Sequence, residues 1–317
     1  MATSAVPAAA ATAAGIPAPT AWGRVAAAAD ATTFVGLHVA CLAVLVVGAT
    51  PAALAVAAAG YAVRCFGVTA GFHRYFSHRS FRAGRGVQFA LALLGTLAMQ
   101  RGVLWWAATH RRHHAVAETP ADVHSPHHRS FLYSHCGWFL DPANQPVEHR
   151  RVRDLARYPE LVWLDRAKLV PIVLFGGGLW LLGPAVFVWG FCVATVVLWH
   201  ATLATGSFSH RVGGYRNFAT PDDSRNNRLI ALVLLGEGWH NNHHHSPRSA
   251  CHGVRRSELD PIGAALRLMA RLGLVHGLLP PPGAAAAGYG WEGAGGAPGT
   301  SKSTSSGKHH HQSSPGS

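Results

Sequence analysis

Three clusters of histidine are the residues of this sequence whose type and spacing could do chemistry. Two of them repeat the spacing H-x-x-H-H, at His110, His113 and His114 and at His240, His243 and His244. Residues three and four apart project from one face of a helix, so each cluster can direct three imidazoles at one place. With 22 histidines in 317 residues, composition alone predicts this pattern only about 0.1 times.

The remaining cluster, His73 and His78, has a spacing that a regular α-helix does not favour. A step of five residues places the second side chain about 140° from the first, so the two rings converge only at a helix end or a bend. The pair directly follows an apolar segment, where such an end is expected. His210 closes a second apolar segment in the same way and is a ninth candidate imidazole.

Eight or nine imidazoles exceed the capacity of one metal, so the set favours a pair of metals. The absence of nearby cysteine argues against structural zinc, while imidazole suits iron, copper, zinc and nickel alike. The clusters contain no acid, unlike soluble di-iron bundles, whose ligands include glutamate. Eight other histidines show no such pattern and are interpreted as surface residues: His124, His127, His128, His135, His149, His245, His252 and His276.

Two long segments without charge are the elements that must position these clusters. No Asp, Glu, Lys or Arg occurs from Thr32 to Val63 or from Leu169 to His210. Pro51 and Pro184 interrupt them, so each segment reads as a helical hairpin able to cross a bilayer twice. The segment from Val87 to Met99 is too short to cross. The predicted fold is all-α and integral to the membrane, with four transmembrane helices and a cytoplasmic helical cap; a soluble core of two hairpins is the alternative.

The 27 Lys and Arg residues predict the orientation, because none lies in either hairpin turn. The positive-inside rule places both termini and the segment between the hairpins in the cytoplasm, in the membrane of a bacterial cell. Contact with anionic lipid explains the net charge of +13, and nucleic-acid binding is not predicted. The five cysteines are scattered and read as packing residues in a reducing compartment.

The two ends of the chain differ from its middle. Residues 1–30 are rich in Ala and Pro and are predicted to be disordered, with a plastid transit peptide as a weaker option. Residues 31–278 are the predicted membrane domain. Residues 279–317 are rich in Gly and Ser and are also predicted to be disordered. The histidines at 309–311 belong to that tail composition.

At several stretches the chain resembles the membrane fatty acid desaturases, in particular bacterial Δ9 desaturases of the stearoyl-CoA desaturase type, which act on acyl-CoA or acyl-lipid. The stretches that carry the resemblance are Gly67–Phe81, Thr109–His114, Ser134–Trp138, Asp222–Asn227 and Gly236–His244. Their order and spacing are more specific than any single cluster, and together they extend over residues 31–278.

The resemblance implies a reaction and a metal centre. Dioxygen and two electrons convert a saturated long-chain acyl group to its cis-alkene, with release of two waters. Two non-haem irons are implied, held by His73, His78, His110, His113, His114, His210, His240, His243 and His244. An unactivated methylene yields to no protein acid or base, so a metal-based oxidant fits this chemistry. No electron carrier is encoded, which implies a separate ferredoxin or cytochrome b5-like donor with its reductase.

Two positions depart from the family pattern. Family members usually have Asn where Gly206 stands, with an amide that approaches one iron through water; here a water or nearby His200 takes its place, or iron occupancy is weaker. Animal members have an Arg-Asp pair that contacts the CoA group, whereas this chain has Ala108 and Thr109. The residues that would contact CoA are therefore absent here, and acyl-CoA and acyl-lipid both stay open as the carrier.

Two other functions compete with desaturation. A membrane di-iron hydroxylase differs only in the step after hydrogen abstraction, and product analysis separates the two. A histidine-rich metal transporter is the alternative from another class, and it would place histidines or acids inside its spans. Only His38 and His200 lie inside the apolar segments, where they are expected to pack or cap.

Overall fold

The computed structural model describes residues 20–282, and within them the fold is mostly helical, as predicted. The α-helices are α1 (Ala21–Cys41), α2 (Val44–Val47), α3 (Pro51–Phe66), α4 (Arg85–Thr96), α5 (Val103–Val116), α6 (Trp138–Leu140), α7 (Arg153–Ala156), α8 (Pro159–Arg166), α9 (Leu169–Leu181), α10 (Pro184–Phe187), α11 (Ala194–Ser207), α12 (Arg228–Val233), α13 (His240–His245) and α14 (Pro261–Arg271). Gly67–Ser77, Tyr133–Gly137 and Val188–Val193 are π-helical, and Pro142–Asn144 and His149–Arg151 are 3-10 turns. Strands β1 (Arg82–Ala83) and β2 (Val275–His276) pair antiparallel.

The first hairpin turns where proline interrupts the apolar segment. Gly48 has a φ of 65°, and α3 begins at Pro51 with the Thr50 hydroxyl accepting a hydrogen bond from the Ala53 amide. Proline at the first helical position loses no intrahelical bond, so this break is stable. The first helix of this hairpin, α1, begins at Ala21, and the Thr20 hydroxyl caps its N-terminus. Helical structure thus starts ahead of the boundary predicted at residue 31, and residues 1–19 lie outside the described residues, as do the tail histidines.

Three continuous helical stretches within residues 20–282 are long and apolar enough to cross a membrane: Ala21–Val47, Pro51–Ser77 and Pro184–Ser207. The fourth predicted span is α9, which has only 13 residues, whereas about 20 normally cross a bilayer. Many aliphatic side chains on these helices are exposed, including Leu45, Val46 and Leu181. Lipid contact accounts for this exposure. The apolar helices make this a membrane protein, and a count of four crossings stays a prediction.

The second span widens into a π-helix from Gly67 to Ser77, and α4 packs tightly against it. A Cβ atom on Gly67 would lie 2.3 Å from the carbonyl carbon of Leu94, so no larger residue fits this contact. Phe72 is fully buried and its ring lies against Gly95. Close backbone approach therefore fixes the π-helix relative to α4, which is the shorter apolar segment identified in the sequence.

Arg64 connects two of the spanning stretches from a buried position. Its guanidinium donates hydrogen bonds to the Gly60 carbonyl, to the Thr195 hydroxyl at 2.5 Å and to the Gly190 carbonyl at 2.9 Å. Gly190 lies in the π-helical segment of the third stretch, where the regular hydrogen-bond ladder changes. Buried cations in a membrane need such partners. Arg64 thus connects α3 to the π-helical segment Val188–Val193 through hydrogen bonds.

Outside the spans, the chain forms a second helical layer that carries the two H-x-x-H-H clusters. The predicted short apolar segment forms α4, and a turn in which Met99 and Arg101 have positive φ separates it from α5. Buried side chains of α4, α5, α8 and α14 pack into one core, which includes Leu91, Leu104, Leu161 and Leu266. This core holds α5, with its H-x-x-H-H cluster, against the π-helix.

Candidate metal centre

The π-helix solves the spacing problem of the first cluster. In a π-helix each amide bonds to the carbonyl five residues earlier, and the His78 amide donates to the His73 carbonyl at 3.2 Å. The two imidazole rings therefore meet, with centroids 4.9 Å apart. The sequence predicted a helix end or a bend here. The structure instead changes from an α-helix to a π-helix, which ends at Ser77.

The two H-x-x-H-H clusters lie on helices, as their spacing predicts. His110, His113 and His114 lie on α5, while His240, His243 and His244 occupy the short helix α13. Asn242, which lies between His240 and His243, anchors α13. Its side chain donates to Glu258 and to the His252 carbonyl and accepts from Asn226. A six-residue helix is not stable alone, so these side-chain bonds hold its imidazoles in place.

The structure brings all nine predicted histidines together, in two adjacent groups. Five form one group: His73, His78, His110, His114 and His243. Four form the other: His113, His210, His240 and His244. Within each group, ring nitrogens converge. Nε2 atoms lie 2.8 Å apart for His78 and His110, and 2.8 Å apart for His240 and His210.

Four carboxylates hold the outer nitrogens of these rings. Asp122 accepts from Nδ1 of His113 at 3.0 Å, Glu118 from Nδ1 of His210 at 2.8 Å and Asp222 from Nδ1 of His244 at 2.7 Å, and Glu237 pairs with Nδ1 of His73. A carboxylate on one nitrogen fixes the tautomer and leaves the other nitrogen free to bind metal. These four acids orient one ring in the first group and three in the second.

Glu237 belongs to a larger buried network. Arg74 is fully buried and donates to Glu237 at 2.7 and 2.9 Å and to Asp260 at 3.0 and 3.1 Å. Burial alone would raise the pKa of the Glu237 carboxyl, but Arg74 and His73 hold it below its usual value. Glu237 therefore stays ionised and able to accept from His73.

The electrostatics of the site keep five of its imidazoles neutral at neutral pH. Burial, followed by the repulsion of neighbouring histidines, holds the pKa of His110, His114, His240 and His243 well below 6.5. Burial also lowers the pKa of His244, to about 4, although Asp222 opposes the shift. Only a neutral imidazole has a lone pair to give to a metal, so these rings are in the binding form at neutral pH.

Both groups fit a metal ion. Nε2 of His244 is buried without a hydrogen-bond partner, and in the other group Nε2 of His243 lies 2.9 Å from Nε2 of His114 and 3.1 Å from Nε2 of His73. Orphaned buried nitrogens are costly unless a metal or water satisfies them. Two sets of neutral nitrogen donors, side by side and braced by carboxylates, match a dinuclear site of a metal that accepts imidazole.

An apolar cavity adjoins both groups. Its walls include Trp105 and Trp106 of α5, Trp138 and Phe139 of α6, and Trp199 and Leu203 of α11. The same cavity is lined by His73 and His110 from one metal group and by His113 and His240 from the other. An apolar ligand in this cavity would therefore lie directly against the place where the two groups meet.

Comparison with known families decides between the functions that the sequence left open. A family model described as fatty acid desaturase matches residues 48–276. The chain belongs to the fatty acid desaturase family. As a member of it, the protein is an oxidoreductase that desaturates fatty acyl groups, as predicted.

Individual relatives of this desaturase agree with the family match. The chain is 38% identical over 227 residues to the sn-2 palmitoyl-lipid 9-desaturase of Nostoc sp. (strain 36), covering 69% of this chain and 79% of that protein. It is 35% identical over 250 residues to the sn-1 stearoyl-lipid 9-desaturase of Anabaena variabilis, covering 76% and 89%. It is also 35% identical over 213 residues to an acyl-CoA 5-desaturase of Anemone leveillei, covering 66% of each chain.

Two histidines of the desaturase were wrongly predicted to lie on the surface. His252 is 1% exposed, and its ring lies 4.6 Å from that of His243. His124 is mostly buried, with its ring 4.4 Å from that of His113. Isolated histidines carry no periodic signal, so only the tertiary fold reveals them. His135 is half-buried, and its ring nitrogens contact Ser207 and His200. Five others are exposed as predicted: His127, His128, His149, His245 and His276.

His200 does not reach the metal groups and so does not replace the family's Asn at position 206. Its Nε2 lies 2.8 Å from Nε2 of His38, and its Nδ1 lies 2.9 Å from Nε2 of His135. His135 in turn bonds the Ser207 hydroxyl at 2.9 Å. The expectation that His38 and His200 pack or cap is replaced by a chain of imidazoles that links α1 to α11.

Sequence reasoning identified the histidines of the desaturase but not the acids that orient them. Asp222 and Glu237 stand within the stretches that resemble the family, and Glu118 and Asp122 follow the second cluster by four and eight residues. Their proximity to the clusters was the available signal. The pairings themselves depend on loops, because Asp222 and His244 are 22 positions apart.

Proposed function

We propose that this desaturase introduces a cis double bond at the Δ9 position of a saturated long-chain acyl group, at two irons held by the nine histidines. The apolar cavity that adjoins both histidine groups supports this proposal, since its tryptophan and leucine walls are suited to an acyl chain. The irons, when bound, supply the oxidant that an unactivated methylene requires. Dioxygen is the co-substrate, and two electrons enter from a separate donor.

Residues at different positions have different roles in the proposed reaction. The nine imidazoles are the metal donors, and Asp122, Glu118, Asp222 and Glu237 hold four of them in the required tautomer. Trp105, Trp106 and Trp199 form walls that hold an acyl chain in one orientation. The methylene that loses hydrogen is thus selected by how far the chain enters the cavity, which is a matter of shape and not of acid–base chemistry.

The carrier that we propose is a membrane lipid. Two relatives, each covered over more than three quarters of its length, are named lipid 9-desaturases, and the named acyl-CoA relative is a 5-desaturase. Ala108 and Thr109 place no cation or acid at the position where the resemblance implies a contact with CoA. The double-bond position and the carrier therefore both follow the lipid-type relatives.

Expression in a bacterial host without its own Δ9 activity tests this proposal. Fatty-acid analysis of the membrane lipids should show cis-Δ9 monoenes for the wild type and none for His113→Ala or His243→Ala. Hydroxy fatty acids would favour the hydroxylase instead, and a Δ5 alkene would contradict the assigned position. Purified protein with acyl-lipid vesicles and, separately, acyl-CoA distinguishes the carriers.

The orientation in the membrane is also proposed, with the metal centre and both termini on the cytoplasmic side of a bacterial cell membrane. Both hairpin turns lack Lys and Arg, and an acidic ferredoxin or cytochrome b5-like donor would be attracted to the basic face that results. Reporter fusions at Thr50 and Gly183 should read as external, and fusions at Ser125 and Arg255 as cytoplasmic. A cytoplasmic reading at Thr50 would contradict this arrangement.

A further inference from the structure

The two metal groups are unequal, and a buried imidazole stands beside the smaller one. One group has five histidines and the other has four, namely His113, His210, His240 and His244. The ring of His124 lies 4.4 Å from that of His113, and it lines the same cavity as His113 and His240. His124 groups with His113 and Asp122, whose candidate donor atoms lie within 4.8 Å of one another, so a further nitrogen-bearing side chain stands beside one member of the smaller group.

Nδ1 of His124 is buried and has no hydrogen-bond partner. The nearest carboxylate oxygen is Oδ1 of Asp122, and at 3.9 Å it is beyond hydrogen-bonding distance. The His124 side chain is 12% exposed. A buried polar atom without a partner is rare in a folded protein and indicates a missing water, ion or ligand. The same signal occurs at Nε2 of His244, which belongs to the metal group itself.

Gly206 provides the space that this ring occupies. A Cβ atom on Gly206 would lie 3.2 Å from both Cε1 and Nδ1 of His124, closer than a side chain normally packs. Gly206 precedes His210 by about one helical turn, so this ring faces the backbone that leads into a metal ligand. Any larger residue at position 206 would press on the face of His124 that carries the orphaned nitrogen.

One carboxylate links His124 to the metal group. Oδ1 of Asp122 accepts from the His124 backbone amide at 3.2 Å, while Oδ2 accepts from Nδ1 of His113 at 3.0 Å. The ring of Trp138 lies 5.1 Å from His124 on another side. The position of His124 is therefore set by the same acid that orients a neighbouring metal donor.

We propose that His124 serves the four-histidine group as its fifth nitrogen donor, through Nδ1, and that Gly206 is the residue that makes room for it. The inference rests on the proposed metal centre. It accounts for three observations together: the unequal groups, the orphaned nitrogen and a glycine where the resemblance implies an asparagine. His200 is excluded from this role because both of its ring nitrogens bond other histidines.

Iron content and Mössbauer spectra of ⁵⁷Fe-loaded protein test this inference. In His124→Ala, one of two iron signals should change while the other stays, and the iron affinity of that site should fall about 10 to 100-fold. His149→Ala, which removes an exposed histidine far from the site, should keep the wild-type spectrum. Two irons with an unchanged spectrum in folded His124→Ala would overturn the inference.

A second pair of variants keeps the test independent of folding defects. Gly206→Ala leaves His124 in place and adds one methyl against it, so it should weaken the same iron site. In the double variant the two effects should not add, because both act on one interaction. Full additivity would contradict the assigned link between the two residues. Wild-type protein without two irons would instead refute the proposed metal centre, which separates the two failures.

Discussion

At the scale of single residues, the site depends on which nitrogen of each imidazole is free. The carboxylates of Asp122, Glu118 and Asp222 accept from Nδ1, so Nε2 of the partner histidine faces the metal position. His244 shows this arrangement clearly, since Asp222 holds its Nδ1 at 2.7 Å and its Nε2 is buried without a partner. Because the tautomer is already fixed in the folded protein, the free energy of selecting it does not have to be supplied when a metal binds.

Asp222→Asn tests this arrangement. An amide can still contact His244 but no longer stabilises the same tautomer, so iron affinity of the four-histidine site should fall about 10 to 100-fold. Iron titration of the metal-free protein measures the change. The matched control is Asp223→Asn, whose side chain is half exposed and bonds Arg216. Equal iron affinity in the two variants would show that the Asp222 carboxylate does not orient a ligand.

Spacing and family resemblance singled out nine histidines, and the structure brings these nine side chains together; the H-x-x-H-H spacing was informative because it has a helical meaning. These signals did not predict that His124, His252 and Glu118 lie beside these histidines, since each reaches the site through a loop or from a distant part of the chain. The pairing of Arg74 with Glu237 joins residues 163 positions apart. Local periodicity carries no information about such contacts.

At the scale of elements, the π-helix from Gly67 to Ser77 is the feature that forms the site. It brings two histidines five residues apart to one face, and it places Arg74 where it can meet Glu237 and Asp260. The apolar content of the preceding span predicted a helix. It did not predict the change in helix type, because a π-helix leaves no hydrophobic repeat of its own in a buried segment.

Gly67→Ala should disturb this element directly. The new Cβ would lie 2.3 Å from the Leu94 carbonyl carbon, so the π-helix and α4 must separate. Overpacking of this kind typically costs about 1 to 3 kcal/mol. The melting temperature of the purified protein should fall. Gly86→Ala, on the open side of α4 with no atom within 4 Å of its Cβ, is the control and should melt like the wild type. An unchanged melting temperature in Gly67→Ala would mean that this contact does not hold the two helices.

At the scale of the whole molecule, apolar spans and a polar second layer meet at the metal centre. The sequence predicted the positions of both hairpin breaks, because proline and glycine have local effects that do not depend on the rest of the fold. It predicted four crossings from apolar length, whereas α9 ends after 13 residues. Helix ends are set by caps and packing, which apolar content does not record.

Buried neutral histidines make the metal-free protein sensitive to acid. The pKa of His110, His114, His240 and His243 is well below the ordinary 6.5 in the folded state, and that of His244 is about 4. As the pH falls through 6.5, these histidines bind protons in the unfolded chain, whereas in the folded chain they stay neutral. Each such group then costs about 1.4 kcal/mol of stability per pH unit, until its folded pKa is reached.

The melting temperature of the metal-free protein should therefore be nearly constant above pH 7 and should drop steeply between pH 6.5 and about 4. Asp122 and Asp222, whose pKa is also lowered in the folded protein, act in the same direction but only near and below their ordinary 3.8. The loss should thus begin in the histidine range. A melting temperature that stays constant down to pH 5 would contradict the neutral, buried state of these rings.

Nine histidines of this chain are proposed to hold two irons at the centre of a fatty acyl desaturase. The most direct measurement is metal analysis of the purified wild-type protein beside His113→Ala and His243→Ala, one variant for each metal group. We predict two irons per wild-type chain and a loss of iron in each variant, with both variants still inserted in the membrane. Zinc in place of iron, or iron content unchanged by either substitution, would contradict the account.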